Sequence, residues 1–204
     1  MQKTALFIFT LFFVTLSSCD NEDTELPITP SEPQLTEQEK ADLTFSREQE
    51  KLSRDVYLYA YAKYQNPIHL KVSGSQQVRM DELKALLEKH ELADPASQDT
   101  GVFSTTELQD RYNDLITQAD ISLEMAIIST MTVEDRGMSD IETYISNTEK
   151  EDILYTYDFM HCTSKNHIRW LYPELQLEGG TYTPQFISQE EYNEITNSPL
   201  FQCR

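Results

Sequence analysis

A helical stripe with a single acid in its middle runs through residues 43–60. Its side chains recur at alternating spacings of three and four residues, the period of an α-helix with one buried face. The residues on that face are Leu43, Ser46, Glu50, Ser53, Tyr57 and Ala60. All except Glu50 are apolar or small, and a lone carboxylate on a buried face is costly unless another group compensates its charge. The stripe therefore predicts a core helix with a compensating group close to Glu50.

Three further stretches carry stripes of the same kind, apolar at their ends and polar in their middle third. The stripe residues are Val72, Gln76, Arg79, Leu83, Leu86 and His90 in the second helix, Leu123, Ile127, Thr130, Glu134 and Ile141 in the third, and Ile153, Tyr157, Met160, Ser164, His167 and Leu171 in the fourth. Four amphipathic helices joined by loops form a bundle, so the polar residues of all four stripes are expected to meet in its core. The predicted fold class is all-α.

Capping and helix-breaking residues predict where the helices begin and end. Thr36, with Glu39 three residues later, forms a capping box that opens the first helix, and Pro67 follows its end. Gly137 is expected to interrupt the third helix. The predicted ranges of the long helices are about 36–65, 67–91, 122–146 and 150–175, with a short extra helix over 107–118 between the second and third, and another from Ser188 in the C-terminal tail.

The first 18 residues have the pattern of a signal peptide. Lys3 gives a positive start, residues 4–16 are largely apolar, and Leu-Ser-Ser-Cys follows. This run is shorter than the roughly 20 apolar residues of a membrane-spanning helix and predicts a secretory signal. The ending resembles the lipobox of bacterial lipoproteins, which implies cleavage before Cys19 and a lipid on its sulfur. Ordinary cleavage nearby, which would leave Cys19 free, is the alternative.

Residues 19–34 are acidic, rich in proline and poor in apolar side chains, which predicts a disordered tether between the lipid and a helical domain over residues 35–204. The acidic run directly after Cys19 resembles surface-export signals of some Gram-negative lipoproteins, with a solvated leash as the alternative. The predicted location is therefore the cell envelope, with the chain lipid-anchored to a bacterial membrane and, by that resemblance, exposed at the cell surface.

The charge of the chain excludes one class of partner. Lysine and arginine total 16 and aspartate and glutamate total 35, so the net charge is −19. So acidic a chain repels the phosphates of nucleic acid, and no nucleic-acid partner is expected. The five glycines form no phosphate-binding loop, so the usual apparatus of nucleotide chemistry is also lacking.

Several motifs resemble a bacterial ferritin-like group, the domain of unknown function 2202 family. The likeness extends in order over residues 35–195. The matching segments are REQEKLSRDVY at 47–57, MDELKALL at 80–87, GVF at 101–103, SKNH at 164–167 and GGTY at 179–182. The resemblance implies a ferritin-like four-helix bundle, with a short extra helix between helices two and three and a C-terminal tail.

The resemblance also implies where metal ligands would stand. Ferritin-like metal enzymes bind two metals with one Glu on one helix of each pair and Glu-x-x-His on the other. Glu50 matches the first-helix glutamate and Glu134 the third-helix one. Gln76 and Arg79 stand where the second helix should carry Glu-x-x-His, and Ser164 precedes His167 in the fourth. Three metal-ligand candidates are left, Glu50, Glu134 and His167, where roughly six ligands would be expected.

The charge of Arg79 favours a degenerate site. A guanidinium can neutralise carboxylates in a forked geometry and would repel an incoming cation, so Arg79 is expected where metal would sit, with Glu50 and Glu134 as its partners. One alternative is a reduced mononuclear site of Glu50, Glu134 and His167, helped by Gln76. The others are ordinary: Glu50 paired with Arg54, or Arg79 at the bundle edge with its head in water.

Two cysteines besides Cys19 predict a disulfide. Cys162 and Cys203 are an even pair in an exported and oxidising setting. A bond between them would close a loop of about 40 residues and stabilise the fold by about 3–4 kcal/mol. Two free thiols are the alternative.

Two functions follow as hypotheses. The first is a non-catalytic envelope lipoprotein, a binding or scaffold module with an inactivated metal site and no cofactor, whose membrane contact is the lipid on Cys19. The second is a metal-dependent redox enzyme or iron-handling protein that holds iron or manganese in the reduced site. A cation-binding role of the acidic surface is a third option, and the sequence names no protein partner.

Overall fold

The computed structural model describes residues 34–203, and within them every regular element is an α-helix. The helices are α1 Glu37–Tyr64, α2 Pro67–Lys89, α3 Thr106–Ala119, α4 Leu123–Ser146, α5 Glu151–Leu177 and α6 Gln189–Asn197. The all-α prediction is confirmed for this part of the chain. Residues 1–33, which hold the predicted signal peptide, Cys19 and nearly all of the tether, lie outside the described residues.

Four long helices form the body of the domain, an arrangement compatible with a four-helix bundle. α1 packs against α2, α4 against α5, α1 against α4 and α2 against α5. The two short helices pack on the outside, α3 on α1 and α4, and α6 on α5. None of the helices in residues 34–203 has both the length and the apolar character needed to span a membrane.

The ends of the helices follow the local sequence in most places. The capping box is confirmed: the Thr36 hydroxyl accepts from the backbone of Glu39 at 3.1 Å, and the Glu39 carboxylate accepts from the Thr36 backbone at 2.7 Å. The interruption predicted at Gly137 is wrong, because α4 runs through that residue without a break. A glycine inside a helix costs only about 1 kcal/mol, and burial of Met138 and Ile141 on the same helix outweighs that cost.

Two apolar clusters lie on either side of the polar mid-section of the helices, as the stripes predict. Each long helix contributes apolar side chains to both clusters, to one cluster from the part before its polar residues and to the other from the part after them. One cluster includes Tyr57, Val72, Ile127, Met131 and Leu171, and the other includes Leu43, Leu83, Ile141, Ile153 and Met160. Burial of these side chains compensates the cost of keeping polar groups between them.

The C-terminal tail is fixed to the bundle by one buried acid. Asp135 of α4 is fully buried and accepts hydrogen bonds from the Tyr182 hydroxyl at 2.7 Å and from the backbone N–H groups of Gln185 at 2.6 Å and Ile187 at 2.8 Å. Hydrogen bonds of this kind replace those that the carboxylate made with water before burial. The tail between α5 and α6 is therefore held in one position on α4.

A disulfide joins Cys162 of α5 to Cys203 near the end of the chain, 41 residues later. This is the pairing predicted from the sequence. Beside it, the side chain of Asn166 donates to the Phe201 carbonyl at 3.0 Å and accepts from the Phe201 backbone N–H at 2.8 Å. The segment after α6 is thus attached to α5 by one covalent bond and two hydrogen bonds.

Candidate functional site

The four long helices bring polar side chains together halfway along their length. Glu50 comes from α1, Gln76 and Arg79 from α2, Glu134 from α4, and Ser164 and His167 from α5. All six are buried, with exposed fractions of 5 % or less. The convergence follows from the stripes, because each helix turns its polar third toward the same level of the bundle.

Glu134 is the acceptor at the centre of this group. Its Oε1 accepts from the Tyr57 hydroxyl at 2.8 Å and from Gln76 Nε2 at 2.7 Å, and lies 3.0 Å from His167 Nδ1. Its Oε2 accepts from the Ser164 hydroxyl at 2.8 Å. Burial raises the pKa of the Glu134 carboxyl, but His167, Arg79 and Ser164 outweigh burial and lower it to about 2. Glu134 is therefore an anion inside the bundle at all ordinary pH values.

His167 is held in one tautomer by its neighbours. Burial lowers its pKa and Glu134 only partly opposes that shift, so the ring is neutral at pH 7. Because a carboxylate can only accept, Nδ1 carries the proton and donates to Glu134. Nε2 then accepts from the hydroxyl of Ser75 at 2.9 Å. Both ring nitrogens are thus used, and neither has a free lone pair for a metal.

The guanidinium of Arg79 lies between the two acids. Its Nη1 is 3.4 Å from Glu50 Oε2 and 3.7 Å from Glu134 Oε2. Its Nη2 donates to the Met160 carbonyl at 2.8 Å and to the Thr163 hydroxyl at 2.6 Å. Arg79 is 1 % exposed, so the alternative with its head in water does not occur. The charge that compensates the buried carboxylates comes from this side chain.

Glu50 and Glu134 respond to the same site in opposite ways. Burial raises the pKa of Glu50 to about 7, with Arg79 lowering it and Glu134 raising it further. Glu50 makes only the long contact to Arg79, whereas Glu134 has several donors. The alternative pairing of Glu50 with Arg54 does not occur, since Arg54 donates to Asp55 and Gln77 instead. Near pH 7, therefore, the Glu134 carboxylate is fully ionised opposite the Arg79 guanidinium, and Glu50 is close to half protonated.

These residues do not fit a metal in the observed arrangement. Glu134 and His167 are in contact, but Arg79 Nη1 separates Glu134 from Glu50. The ligand atoms of Glu50, Glu134 and His167 do not form a group within 4.8 Å of one another. Gln76 turns its amide N–H to Glu134 and its oxygen, at 3.1 Å, to Arg79. A guanidinium occupies the space in which a cation would have to bind.

Comparison with known proteins identifies the relatives of this chain. The family described as "Uncharacterized protein domain (DUF2202)" matches residues 39–199. The chain belongs to the DUF2202 family. The uncharacterized protein MJ0754 of Methanocaldococcus jannaschii is 41 % identical over 170 residues, which is 83 % of this chain and 91 % of the relative. The crystal structure of the hypothetical protein MJ0754 from Methanococcus jannaschii superposes with a TM-score of 0.81 at 39 % identity, over 84 % of this chain and 98 % of that chain.

Three residues of this DUF2202 site do not stand out from the sequence. Tyr57 is on a stripe but reads as packing, while Ser75 and Thr163 lie just beside the stripe residues Gln76 and Ser164. In the structure all three hydrogen-bond to the charged centre. A signal was available for Thr163: a buried arginine has five N–H donors, and two carboxylates cannot accept all of them. A hydroxyl one position from the stripe is the nearest further acceptor.

The DUF2202 core contains one further buried histidine, away from the charged group. His69 of α2 is fully buried beside Tyr57, with ring centroids 6.1 Å apart, and neither ring nitrogen has a hydrogen-bond partner in the described residues. Burial lowers its pKa to about 4. The folded domain therefore holds His69 neutral at a pH where the unfolded chain would protonate it.

We expect acid to destabilise the domain through His69. Because the pKa of His69 is 6.5 in the unfolded chain and about 4 when folded, its contribution is complete above pH 6.5 and is lost as the pH falls from there through 4. The loss amounts to about 3 kcal/mol at pH 4. Urea unfolding of the parent and His69→Leu, measured from pH 7 to pH 4, should show the variant losing less stability by that amount.

Glu50 does not obscure this comparison. Since its pKa is raised to about 7, its contribution is present below the unfolded value of 4.5 and is lost as the pH rises through 7, the opposite direction. The contribution of Glu50 to the free energy of unfolding is the same in the parent and the variant, so it cancels when their stabilities are compared. Parallel stability curves for the two proteins would contradict the role of His69.

Proposed function

We propose that the protein is a cell-envelope lipoprotein whose ferritin-like domain carries a degenerate dinuclear metal site and serves as a binding or scaffold module. The observation that carries this proposal is the Arg79 guanidinium between Glu50 and Glu134, at 3.4 and 3.7 Å. A permanent cation at that place neutralises the acids and repels a second cation. The core is accordingly a stabilising charge network rather than a reactive centre.

The connectivity of the helices supports the ferritin-like part of the proposal. Residues 65–66 join α1 to α2 and residues 147–150 join α4 to α5, so each pair is a short-linked antiparallel hairpin. Residues 90–122, which include α3, connect the two hairpins. Ferritin-like bundles have one long crossover of this kind, with metal ligands at mid-helix on all four helices. Here the polar residues stand at those mid-helix positions.

The residues that replace the ligands complete the network chemically. Gln76 bridges the two charges, donating to Glu134 and accepting from Arg79. Ser164 does the same with one hydroxyl, which accepts from Arg79 at 3.0 Å and donates to Glu134 at 2.8 Å. Each substituted position thus links the cation to the anion, and a buried ion pair satisfied in this way is stable where a partly satisfied one is not.

The absence of a resident metal in the core is tested by elemental analysis. We expect the full chain, purified without chelators and offered iron(II) anaerobically or manganese(II), to hold neither ion in stoichiometric amount at the core. The control is Glu134→Gln, which keeps the shape of the side chain and removes its charge. Iron or manganese that binds the parent at one or more ions per chain and is lost from this variant would contradict the degenerate site and favour the redox or iron-handling function.

The lipoprotein part rests on residues 1–19 and needs its own measurement. We expect mass spectrometry of the mature protein to find a diacylglyceryl group on the sulfur of an N-terminal Cys19. The two acyl chains of that group would give stable anchoring, which a single chain does not. The peptides with Cys162 and Cys203 serve as the control and should be recovered without lipid. Cleavage at another bond, with an unmodified Cys19, would contradict the proposed anchoring.

A further inference from the structure

A histidine and two glutamates meet at the surface, away from the charged core. Glu142 comes from α4, His161 from α5 and Glu191 from α6. One ligand atom of each lies within 4.8 Å of the other two, and within residues 34–203 no other three-residue group of His, Cys, Asp and Glu does so. The three come from different helices and are far apart in sequence, so their meeting is a product of the tertiary fold.

The His161 nitrogen that faces this group lacks a partner. Nε2 is buried and makes no hydrogen bond, although Glu142 Oε1 is only 3.2 Å away, because the contact does not have hydrogen-bond geometry. A metal ion bound beside Nε2 would give this buried nitrogen a partner. Burial lowers the pKa of His161, with Lys165 acting in the same direction, so the ring is neutral at pH 7 and can offer a lone pair.

We propose that Glu142, His161 and Glu191 form a binding site for a divalent metal ion, with zinc the best-suited ion, that clamps α6 to the bundle. One imidazole nitrogen and two carboxylate oxygens are ligands that zinc accepts, and the two negative charges balance the dication. Zinc bonds of 2.0–2.2 Å require ligand atoms roughly 3.4 Å apart. The Glu142 side chain, 54 % exposed, is free to make the remaining movement.

A lysine now occupies part of the site as a counter-ion. Lys165 follows His161 by one helical turn, and its Nζ lies 3.5 Å from Glu191 Oε1. Its side chain is 25 % exposed and carries the ammonium on a flexible four-carbon stem. The ammonium can therefore move aside into water when a dication binds. Metal and Lys165 therefore compete for Glu191, and the lysine sets an upper limit on affinity.

The clamp would strengthen the attachment of α6 to α4. Among the helices of residues 34–203, the backbone of α6 comes close to that of α5 alone. A metal held by Glu142 would tie α6 to α4 as well. The disulfide from Cys162 to Cys203 already fixes the segment after α6, so the metal would hold the helix itself.

The experiment is a zinc titration of the full chain in detergent, after removal of metal with EDTA. We expect one tight zinc ion per chain, a higher melting temperature, and slower amide exchange in α6. Glu142→Gln and His161→Gln should each weaken that site at least about tenfold, because loss of a ligand costs no less than loss of an outer group that orients one. Lys165→Met should strengthen it, because the competing cation is gone.

Two controls separate this site from the rest of the chain. His90→Gln removes a histidine that also faces an acid, Asp152 at 3.1 Å, but has no third ligand, and should bind zinc like the parent. Glu134→Gln changes the core and should leave zinc binding at the surface site unchanged. A zinc ion lost from this variant would lie in the core, so the test of the surface site is separate from the test of the degenerate core. Absence of a tight site in the parent, or equal zinc affinity in Glu142→Gln, would overturn the proposal.

Discussion

Replacing Arg79 with leucine is expected to lower the free energy of unfolding by about 3–5 kcal/mol, the usual cost of removing one partner of a buried ion pair. Arg79 and Glu134 lie 3.7 Å apart and each is 1 % exposed, so water cannot solvate the Glu134 charge once the guanidinium is removed. The variant leaves the Glu134 anion without its cation and removes one of the donors to the Met160 carbonyl. Urea unfolding at pH 7 measures the change.

A double-mutant cycle separates the charge pair from lost packing. With Glu134→Gln in the background, Arg79→Leu no longer strands an anion, so the double variant should be more stable than the sum of the single losses predicts, by about 1–3 kcal/mol. Strict additivity would mean that the two groups do not act on each other. Arg136→Leu is the matched control: Arg136 is 35 % exposed, lies 3.6 Å from Asp140, and should cost less than about 1 kcal/mol.

The convergence of the polar side chains could be predicted because it depends on local spacing. A residue on the apolar stripe of a bundle helix points to the core whatever the neighbouring helices contain, so the spacing alone is enough to place Glu50, Arg79 and Glu134 together. The break expected at Gly137 does not occur, because the packing of the helix that contains this glycine outweighs its weak local preference.

The parts that could not be predicted depend on where separate segments meet. Nothing local in α6 indicates that Glu191 reaches His161, because the path of the tail is fixed by Asp135 and by the disulfide rather than by the sequence of the helix. The position of Ser75 is similar: it lies off the stripe of α2, and only the packing of α5 against α2 brings the His167 ring to its hydroxyl. Sequence periodicity shows which face of a helix a residue occupies, but not which side chains of other helices contact it.

Replacing three core residues with the ligands of ferritin-like metal enzymes is expected to create a metal site in the core. The change combines Gln76→Glu, Arg79→His and Ser164→Glu, so that Glu-x-x-His stands on both α2 and α5 beside Glu50 and Glu134. Removing the guanidinium vacates the space next to residue 164, since Arg79 Nη2 lies 3.0 Å from Ser164 Oγ, and a longer acid can occupy it. Two dications then balance four carboxylates, and we expect two iron(II) or manganese(II) ions per chain by elemental analysis.

The controls for this gain follow from charge. Gln76→Glu and Ser164→Glu without Arg79→His would keep the cation in place, and we expect that variant to bind no core metal, because the guanidinium occupies the site and pairs with the new acids. Adding Glu134→Gln to the triple variant should abolish binding again, since it removes a ligand from the centre of the group. If the triple variant folds and remains without metal, or if the variant that retains Arg79 binds metal equally well, then the arginine is not what keeps ions out of this core.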